Sequence, residues 1–282
     1  REIIQRNLKE FGWLEGCMTS EWCCVPLTVP KPPPADQNSI DGWRMVVDFR
    51  NLNAETKADS HPLPLIEEEI AKRARGRLFS VLDLRHGFHQ MPLAKASRPL
   101  TCMCTPCGPV QWTVMPMSLT NAPAFFQRMM EDVLFTAHPE LRAFVSVYID
   151  DIIIATEGEG LSEEELVALH EKQLNQVLDI LDKRQLVCGP KKGKFFLRSV
   201  EFCGSLLENG TRRPSPGKLL AIQKWRRPET INELRGFLGC CKFYHTFVPN
   251  YAKFAAPLTE LLKVGRDAGK AGSKVRVKWT DE

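Results

Sequence analysis

Two adjacent acidic residues interrupt a strongly apolar stretch of this 282-residue chain. Asp150 and Asp151 stand within FVSVYIDDIIIAT, between β-branched and aromatic runs that are typical of buried strands. The pattern predicts a β-hairpin that turns at the two acids. An exposed Asp pair can simply favour a turn, but a tight turn between two buried strands more commonly uses Asn-Gly or Asp-Gly. The pair therefore suggests chemistry as well as a turn.

A third carboxylate, Asp83, ends the predicted strand RLFSVLDL. If the three acids lie on neighbouring strands, they repel one another and raise each other's pKa unless a cation lies among them. Mg²⁺ prefers carboxylate oxygens together with substrate phosphates, and paired ions stabilise the attacking and leaving oxygens of phosphoryl transfer. The acids thus indicate a site for a divalent metal ion such as Mg²⁺, or Mn²⁺ in its place.

Positive charge is concentrated in one segment of the chain. The whole chain carries a net charge of only +4, a weak indication of a polyanionic partner. Residues 183–227, however, contain twelve Lys or Arg and only two acids, Glu201 and Glu208. This segment predicts a phosphate-facing surface. The alternative is a solvated face that balances acidic groups elsewhere.

The predicted elements give an α+β chain that ends in a helical segment. Helices are expected at residues 1–16, 62–74 and 121–137, and a capping box of Ser162 with Glu165 predicts a long amphipathic helix. Residues 25–42 are expected to form a proline-rich loop. Strands or hairpins are expected at 43–49, 77–84, 100–116, 144–156, 194–199 and 201–207. After residue 214 the chain is expected to be helical, with starts at Ser215-Pro216 and Thr230, and residues 264–278 to form a flexible linker.

The ten cysteines and the short apolar runs argue against several classes of protein. The cysteines lie in apolar contexts without an amino-terminal signal pattern, which indicates reduced, intracellular thiols. Cys102, Cys104 and Cys107 lack a second pair of ligands at the spacing of a structural zinc site. No apolar run is long enough to cross a membrane, and no phosphate-binding loop of the P-loop or dinucleotide type is present. The chain begins at Arg1 rather than Met, so a piece of a longer polypeptide is expected.

Six ordered motifs give the chain a family resemblance. From its first helix to about residue 263 it resembles the reverse transcriptases of gypsy-type long-terminal-repeat retrotransposons, whose pol polyprotein it looks like a fragment of. The motifs are WRMVVDFRNLN, RLFSVLDLRHGFHQM, MPMSLTNAPAFFQRMM, YIDD, VEFCGSLL and ELRGFLGCCKFYHTFVPNYAKFAAPLTELLK.

The resemblance implies a right-hand polymerase with fingers, palm and thumb. The palm would be an antiparallel sheet with helices on one face, and the thumb would be helical. The implied boundaries are 1–59 and 93–120 for the fingers, 60–92 and 121–207 for the palm, 208–263 for the thumb, and 264–282 for a linker toward a connection or ribonuclease H region.

The resemblance also implies the residues of the active site. Asp83, Asp150 and Asp151 match the carboxylates that hold two Mg²⁺ ions. Phe88 matches the aromatic gate that excludes a 2′-hydroxyl, with core packing as its alternative role. Arg44, Lys31, Met117, Ser118, Ile149 and Lys192 match positions around the incoming nucleotide, and Lys191 and Lys194 compete with Lys192 for the role of protonating pyrophosphate. Ser118 departs from the family's usual Gly.

Two further regions match parts of the family that bind nucleic acid. Phe202, Cys203 and Gly204 match the primer grip, a hairpin that positions the primer end. Lys218, Lys224, Arg226 and Arg227 lie in the region that matches the thumb, where they would contact duplex phosphates without reading sequence.

The function implied is RNA-directed DNA polymerisation, the transfer of nucleotides from dNTPs to a primer on an RNA or DNA template. The alternative is a domesticated or decayed relative that binds nucleic acid without polymerising, which Ser118 and a long loop at residues 31–42 keep open. A standalone two-metal nuclease is disfavoured because no second acidic cluster is evident.

The expected partners are a template with its primer, dNTPs and the remainder of the pol polyprotein. The expected location is the cytoplasm, a virus-like particle or the nucleus, and both monomers and dimers remain open.

Overall fold

The computed structural model describes residues 1–31, 35–190, 192–263 and 275–279. Its internal contacts divide the chain into two compact units. The first unit comprises residues 1–69 and 78–197, and the second comprises residues 70–77 and 198–282. The described residues form α-helices and antiparallel sheets, which confirms the α+β prediction. In the part of the chain that the structure describes, no helix is long and apolar enough to span a membrane.

The elements of the first unit follow one another in chain order. They are α1 (Glu2–Lys9), β1 (Leu14–Gly16), β2 (Val25–Pro30), β3 (Trp43–Asp48), α2 (Arg50–Glu55), α3 (Ile66–Arg73, which runs into the second unit), β4 (Leu78–Asp83), β5 (Met103–Thr105), β6 (Gly108–Trp112), α4 (Ala122–Glu131), β7 (Val145–Tyr148), β8 (Asp151–Thr156), α5 (Glu163–Lys183) and β9 (Lys194–Leu197).

A four-stranded antiparallel sheet of order β7-β8-β4-β9 forms the centre of the first unit. Its two middle strands, β4 and β8, are flanked on both edges and carry consecutive apolar residues, as strands covered on both faces do. Ile152, Ile153 and Ile154 are completely buried. The predicted hairpin at residues 144–156 is confirmed, with Tyr148 paired to Asp151 across the turn.

Two helices pack their apolar sides into the core beside this sheet. Helix α4 begins with Pro123 in its first turn and continues into a π-helical turn at Asp132–Thr136. Helix α5 begins at the predicted capping box, where Ser162 and Glu165 satisfy each other's backbone N–H groups. Three buried residues belong to this core. They are Phe126 of α4, Leu134 of the π-helical turn and Val177 of α5.

The amino-terminal region contains two smaller sheets that the sequence predicted only in part. One is three-stranded with order β1-β6-β5, and the other pairs β2 with β3. The predicted helix over 1–16 is wrong after Lys9, since Leu14–Gly16 forms β1 and pairs with β6. The predicted loop is wrong over β2, a strand that tolerates Pro26 and Pro30 because it lies at the edge of a two-stranded sheet.

Beyond the end of α3, the described residues of the second unit form a small sheet and three α-helices. They are β10 (Ser199–Phe202), β11 (Ser205–Glu208), β12 (Thr211–Pro214), α6 (Pro216–Gln223), α7 (Ile231–Phe243) and α8 (Tyr251–Leu261). The strands pair in sequence order through tight turns. Thr230 caps α7 as predicted, its hydroxyl accepting a hydrogen bond from the Glu233 N–H.

The predicted linker is structured where it can be described. Residues 264–274 and 280–282 lie outside the described residues. The Val277 N–H donates to the Glu229 carbonyl, and Val277 packs with Ile231 and Leu234 of α7. The prediction of a flexible segment is therefore wrong for residues 275–278.

Candidate active site

Asp83 and Asp151 are cross-strand partners on β4 and β8. Directly opposed residues of an antiparallel pair place their Cβ atoms about 4.5–5.5 Å apart. Asp150 precedes β8 in the turn, and its carbonyl accepts a hydrogen bond from the Leu84 N–H at 3.4 Å. The sheet thus brings together the three acids that the sequence analysis singled out.

The carboxylates of Asp150 and Asp151 are held in an environment that disfavours their charge. Burial, followed by the charges of Asp83 and Asp151, raises the pKa of Asp150 to about 6. Burial and the charge of Asp83 also raise the pKa of Asp151. The Oδ1 atom of Asp150 is buried and accepts no hydrogen bond from the described residues. An uncompensated buried carboxylate oxygen of this kind is suited to a cation.

The turn that carries the acids has a strained backbone. Ile149 has a φ of 53°, a left-handed conformation that is an outlier for a β-branched residue. Gln127 of α4 is completely buried beneath this turn, and its Oε1 accepts the Ile149 N–H at 2.8 Å. Its Nε2 donates to the Val147 carbonyl at 3.2 Å. The sequence analysis missed Gln127, because only the fold brings helix and turn together.

Gly87 and Phe88 lie beside this turn. A Cβ on Gly87 would lie 2.6 Å from the Asp150 Oδ1 atom, so a side chain at position 87 would force this carboxylate to move. Phe88 packs on the core, with its ring centroid 5.1 Å from that of Phe126 in an edge-to-face arrangement. Both the gate role and the packing role predicted for Phe88 are compatible with this position.

Several cations lie around His86, and one of them, Lys192, also contacts the carboxylates. The Lys192 Nζ atom lies 3.0 Å from Asp83 Oδ1, and its side chain is 71% exposed. Burial, and then the charges of Arg85, Lys31, Lys192 and Arg6, lowers the pKa of His86. Lys31 is anchored at the end of β2, where its N–H donates to the Gly42 carbonyl at 2.8 Å. This positive field lies next to the acids.

The remaining nucleotide-site candidates of the first unit lie on β3 and in the loop before α4. Arg44 is exposed on β3, opposite Val29. Met117 is half-buried and Ser118 is exposed. Ser118 has a φ of 75°, in the region that favours glycine, so the backbone retains the conformation that the family's usual Gly would adopt. Asn53 holds this loop by donating to the Ser118 carbonyl and accepting from the Thr120 N–H, both at 2.9 Å.

The predicted primer-grip residues form the turn between β10 and β11 in the second unit. Phe202 is buried and pairs with Ser205. Cys203 and Gly204 both have positive φ, as a two-residue hairpin turn of type I′ requires. The Tyr244 hydroxyl donates to the Gly204 carbonyl at 3.2 Å, which fixes the turn against the end of α7.

The basic residues predicted to bind nucleic acid lie on and just after α6. Lys218, Lys224, Arg226 and Arg227 are all exposed. The guanidinium of Arg227 lies 4.4 Å from the ring centroid of Trp279, a cation–π contact. Arg227 is therefore engaged within its own unit, whereas the other three present their charge to solvent.

The residues fit a divalent cation only after a side-chain rearrangement. Among the described residues, no three His, Cys, Asp or Glu side chains form a ready metal-binding group. The Lys192 ammonium pairs with Asp83 instead, and its exposed side chain is free to swing away. The unpartnered Oδ1 of Asp150 and the crowded charges of Asp83 and Asp151 then supply the hard oxygen ligands that such ions prefer.

Comparison with known proteins defines the class. Residues 29–207 match the family model described as reverse transcriptase (RNA-dependent DNA polymerase), and the chain belongs to this family. Solved structures of foamy viral protease-reverse transcriptase in complex with double-stranded DNA share the fold. One has a TM-score of 0.82 and 27% identity over 99% of this chain and 44% of that chain.

Among curated proteins, the chain is similar to retrotransposon polyproteins of the gypsy type, as the motifs predicted. It is 36% identical over 83% of its length to the retrovirus-related Pol polyprotein from transposon opus of Drosophila melanogaster. It is 33% identical over 78% of its length to that from transposon gypsy of the same species. The chain spans only 22% and 20% of these two relatives.

Proposed function

We propose that this chain is the polymerase portion of a gypsy-type reverse transcriptase, which extends a primer on an RNA or DNA template from dNTPs. The observation that carries this proposal is the juxtaposition of Asp83 with Asp151, and of both with the unpartnered carboxylate of Asp150. A structural carboxylate cluster would be expected to be hydrogen-bonded or exposed. Family membership supports the same reaction.

In this proposal Asp83, Asp150 and Asp151 hold two Mg²⁺ ions, or Mn²⁺ in their place. Such ions activate the attacking hydroxyl and neutralise the phosphates in phosphoryl transfer. The protein's own contribution is to position the carboxylates. Gln127 fixes the turn before Asp150, and Gly87 leaves the space that its carboxylate fills.

The cations around His86 are suited to a triphosphate. Lys31, Lys192 and the neighbouring arginines create a positive field beside the acids, and Arg44 adds an exposed planar donor on β3. Phe88 would meet the sugar, with Met117, Ser118 and Ile149 as further neighbours of the nucleotide. Lys192 would exchange its contact with Asp83 for one with phosphate.

The relatives support names for the regions of the chain. Residues 60–92 and 121–207 would form the palm, 1–59 and 93–120 the fingers, and 208–263 the thumb. The turn at Phe202, Cys203 and Gly204 would hold the primer end. Lys218, Lys224 and Arg226 would bind the duplex backbone, since the structural relatives include complexes with double-stranded DNA and an RNA/DNA hybrid.

Primer extension on a homopolymeric RNA template tests the proposal. With Mg²⁺ and the matching dNTP, wild-type protein should extend the primer, and Asp150→Asn should reduce the rate at least about 100-fold because a metal ligand is lost. Asp179→Asn, which removes a carboxylate on the exposed face of α5, should retain wild-type activity. Equal rates for wild type and Asp150→Asn would refute the proposal.

A second candidate function is nucleic-acid binding without synthesis. Ser118 favours it, since this residue adds a side chain at a left-handed position beside the proposed nucleotide site. In that case wild-type protein would bind a primer–template with strong salt dependence yet extend it no faster than Asp150→Asn. The same pair of proteins therefore separates the two functions.

A further inference from the structure

Five cysteines lie near one another in the first unit, and four of them form two thiol pairs. Cys17 follows β1, Cys23 and Cys24 precede β2, and Cys102 and Cys104 lie at the start of β5. Within this group the thiol of Cys17 hydrogen-bonds to that of buried Cys102, and the thiol of Cys23 hydrogen-bonds to that of Cys104. We refer to Cys17, Cys23, Cys102 and Cys104 as the cysteine cluster.

The pair of Cys23 and Cys104 is the exposed part of the cluster. Their sulfur atoms lie 2.7 Å apart, and both residues are exposed, whereas Cys17 and Cys102 are buried. The chain neighbours of this pair are also held together. Cys24 forms a parallel bridge with Met103, and the Cys24 N–H donates to the Cys102 carbonyl at 2.8 Å.

We propose that Cys23 and Cys104 form a reversible disulfide that ties the start of β2 to β5. An S–S bond is about 2.05 Å long, so the two sulfurs need only a small movement to reach bonding distance. A small-molecule disulfide such as oxidised glutathione serves as the oxidant. One cysteine thiolate attacks it and releases one glutathione, and the second then attacks the mixed disulfide and releases another. Two cysteine thiols are oxidised, and one glutathione disulfide is reduced to two glutathione thiols.

The surroundings favour a reversible bond over a permanent one. Disulfides that are exposed to solvent are more readily reduced than buried structural ones, and those of intracellular proteins are usually transient. The hydrogen bond with Cys23 raises the pKa of the Cys104 thiol, which keeps this thiol protonated at neutral pH. A metal site is disfavoured because, among the described residues, the cysteines do not form a metal-binding group.

The bond would restrain a functional part of the fold. Strand β2 pairs along its whole length with β3, which carries Arg44, and Lys31 follows directly after β2. A link from Cys23 to Cys104 closes a loop over residues 23–104, a long loop whose closure constrains the unfolded chain strongly. Oxidation should therefore stabilise the first unit and hold the base of the β2–β3 sheet against β5.

Peptide mapping without reduction tests the bond directly and does not depend on polymerase activity. The intact chain is treated with oxidised glutathione, alkylated and digested. A peptide that links Cys23 to Cys104 should dominate, in wild-type protein and in Cys107→Ser, and should disappear with dithiothreitol. Cys107 is the matched control because it is exposed in the turn after β5.

Thermal unfolding gives the second readout. Oxidation should raise the Tm of wild type and of Cys107→Ser by several degrees, and should leave that of Cys23→Ser and Cys104→Ser unchanged. Reduced wild type and all three variants should unfold at similar temperatures, since the substituted residues are exposed. Separate glutathione adducts on Cys23 and Cys104 without a link, a dominant link between Cys17 and Cys102, or a metal ion that protects the thiols would each overturn the proposal.

Discussion

Asp83 and Asp151 face each other across two neighbouring strands of one sheet, with Asp150 next to them in the turn. Like charges directly opposed in a sheet are destabilising. The fold therefore holds two carboxylates in a mutual repulsion that an ordinary core would avoid. This unfavourable electrostatic energy marks the three acids as a candidate active site. Repulsion of this kind makes stability depend on pH and on cations.

The first prediction concerns pH. The folded pKa of Asp150 is about 6, above its ordinary value of 3.8, so the folded chain binds more protons than the unfolded chain between these values. Without divalent ions, the contribution of Asp150 to the free energy of unfolding should fall by about 1 kcal/mol as pH rises from 4 to 7, after allowance for water access to this partly exposed group. His89 and His170, whose pKa values burial lowers to about 4, act in the opposite direction, so the contribution of Asp150 is the difference between wild type and Asp150→Asn. Urea unfolding in EDTA at each pH measures the free energy of unfolding. Asp150→Asn should lose this dependence, and Asp179→Asn should keep it.

The second prediction concerns backbone strain at Ser118. Because Ser118 has a φ of 75°, Ser118→Gly should relieve about 1 kcal/mol of strain and stabilise the chain, while Ser118→Val should destabilise it by more than that. Urea unfolding measures both. Ser60→Gly, at an exposed loop position without positive φ, is the control and should be neutral or slightly destabilising. A destabilised Ser118→Gly would contradict the strain argument.

The third prediction concerns sugar selection by Phe88. If its ring meets the ribose, Phe88→Ala should raise the incorporation of ribonucleotides relative to deoxynucleotides by at least about tenfold, because a 2′-hydroxyl would then fit. Single-nucleotide extension with each substrate measures this ratio. Phe125→Ala removes an exposed ring from α4 and should leave the ratio unchanged. If the ratio is also unchanged in Phe88→Ala, then Phe88 serves only to pack against Phe126.

The fourth prediction concerns Gln127 as a positioning residue. Gln127→Leu would leave the Ile149 N–H without its acceptor beneath the turn, which should cost about 1–3 kcal/mol of stability. It should also lower kcat more than it changes KM for the dNTP, because the carboxylates move while the cations around His86 stay. Asn175→Leu, at an exposed position of α5, is the control. A variant with wild-type kcat would show that the turn holds without Gln127.

The fifth prediction concerns the exposed lysines of α6. Replacing both Lys218 and Lys224 by Ala should weaken primer–template binding equally for different sequences. It should also lower the slope of log affinity against log salt by about 2. Fluorescence anisotropy over a salt series measures both effects. Lys172→Ala on α5 is the control, and Arg227→Ala should have the smaller effect because its guanidinium already contacts Trp279.

Local signals in the sequence predicted much of the fold and the acids of the site. The capping box of Ser162 and Glu165 involves neighbouring residues only, and the apolar runs that flank Asp150 and Asp151 are also a local signal. Strand β1 escaped prediction because its partner β6 is far along the chain. Strand β2 escaped because Pro26 and Pro30 indicate a loop unless the strand is known to lie at an edge.

The residues that hold the three acids in place could not be predicted either, because they come from segments that are distant along the chain. Gln127 reads as one polar residue of an amphipathic helix until the fold places it beneath the turn at Ile149. The small size of Gly87 matters only because the Asp150 carboxylate lies 2.6 Å from where a Cβ would be. The identities of the acids follow from local pattern and family motifs, but the residues that hold them follow from packing between distant segments.

The ion pair between Lys192 and Asp83 gives the carboxylate cluster a counter-ion that belongs to the chain itself. A tethered ammonium cannot diffuse away, so the free protein retains partial charge neutrality even where divalent ions are scarce. The tether is also loose, because most of the lysine side chain is in contact with water. The resting protein is thereby protected from the repulsion of its own acids without their being permanently blocked.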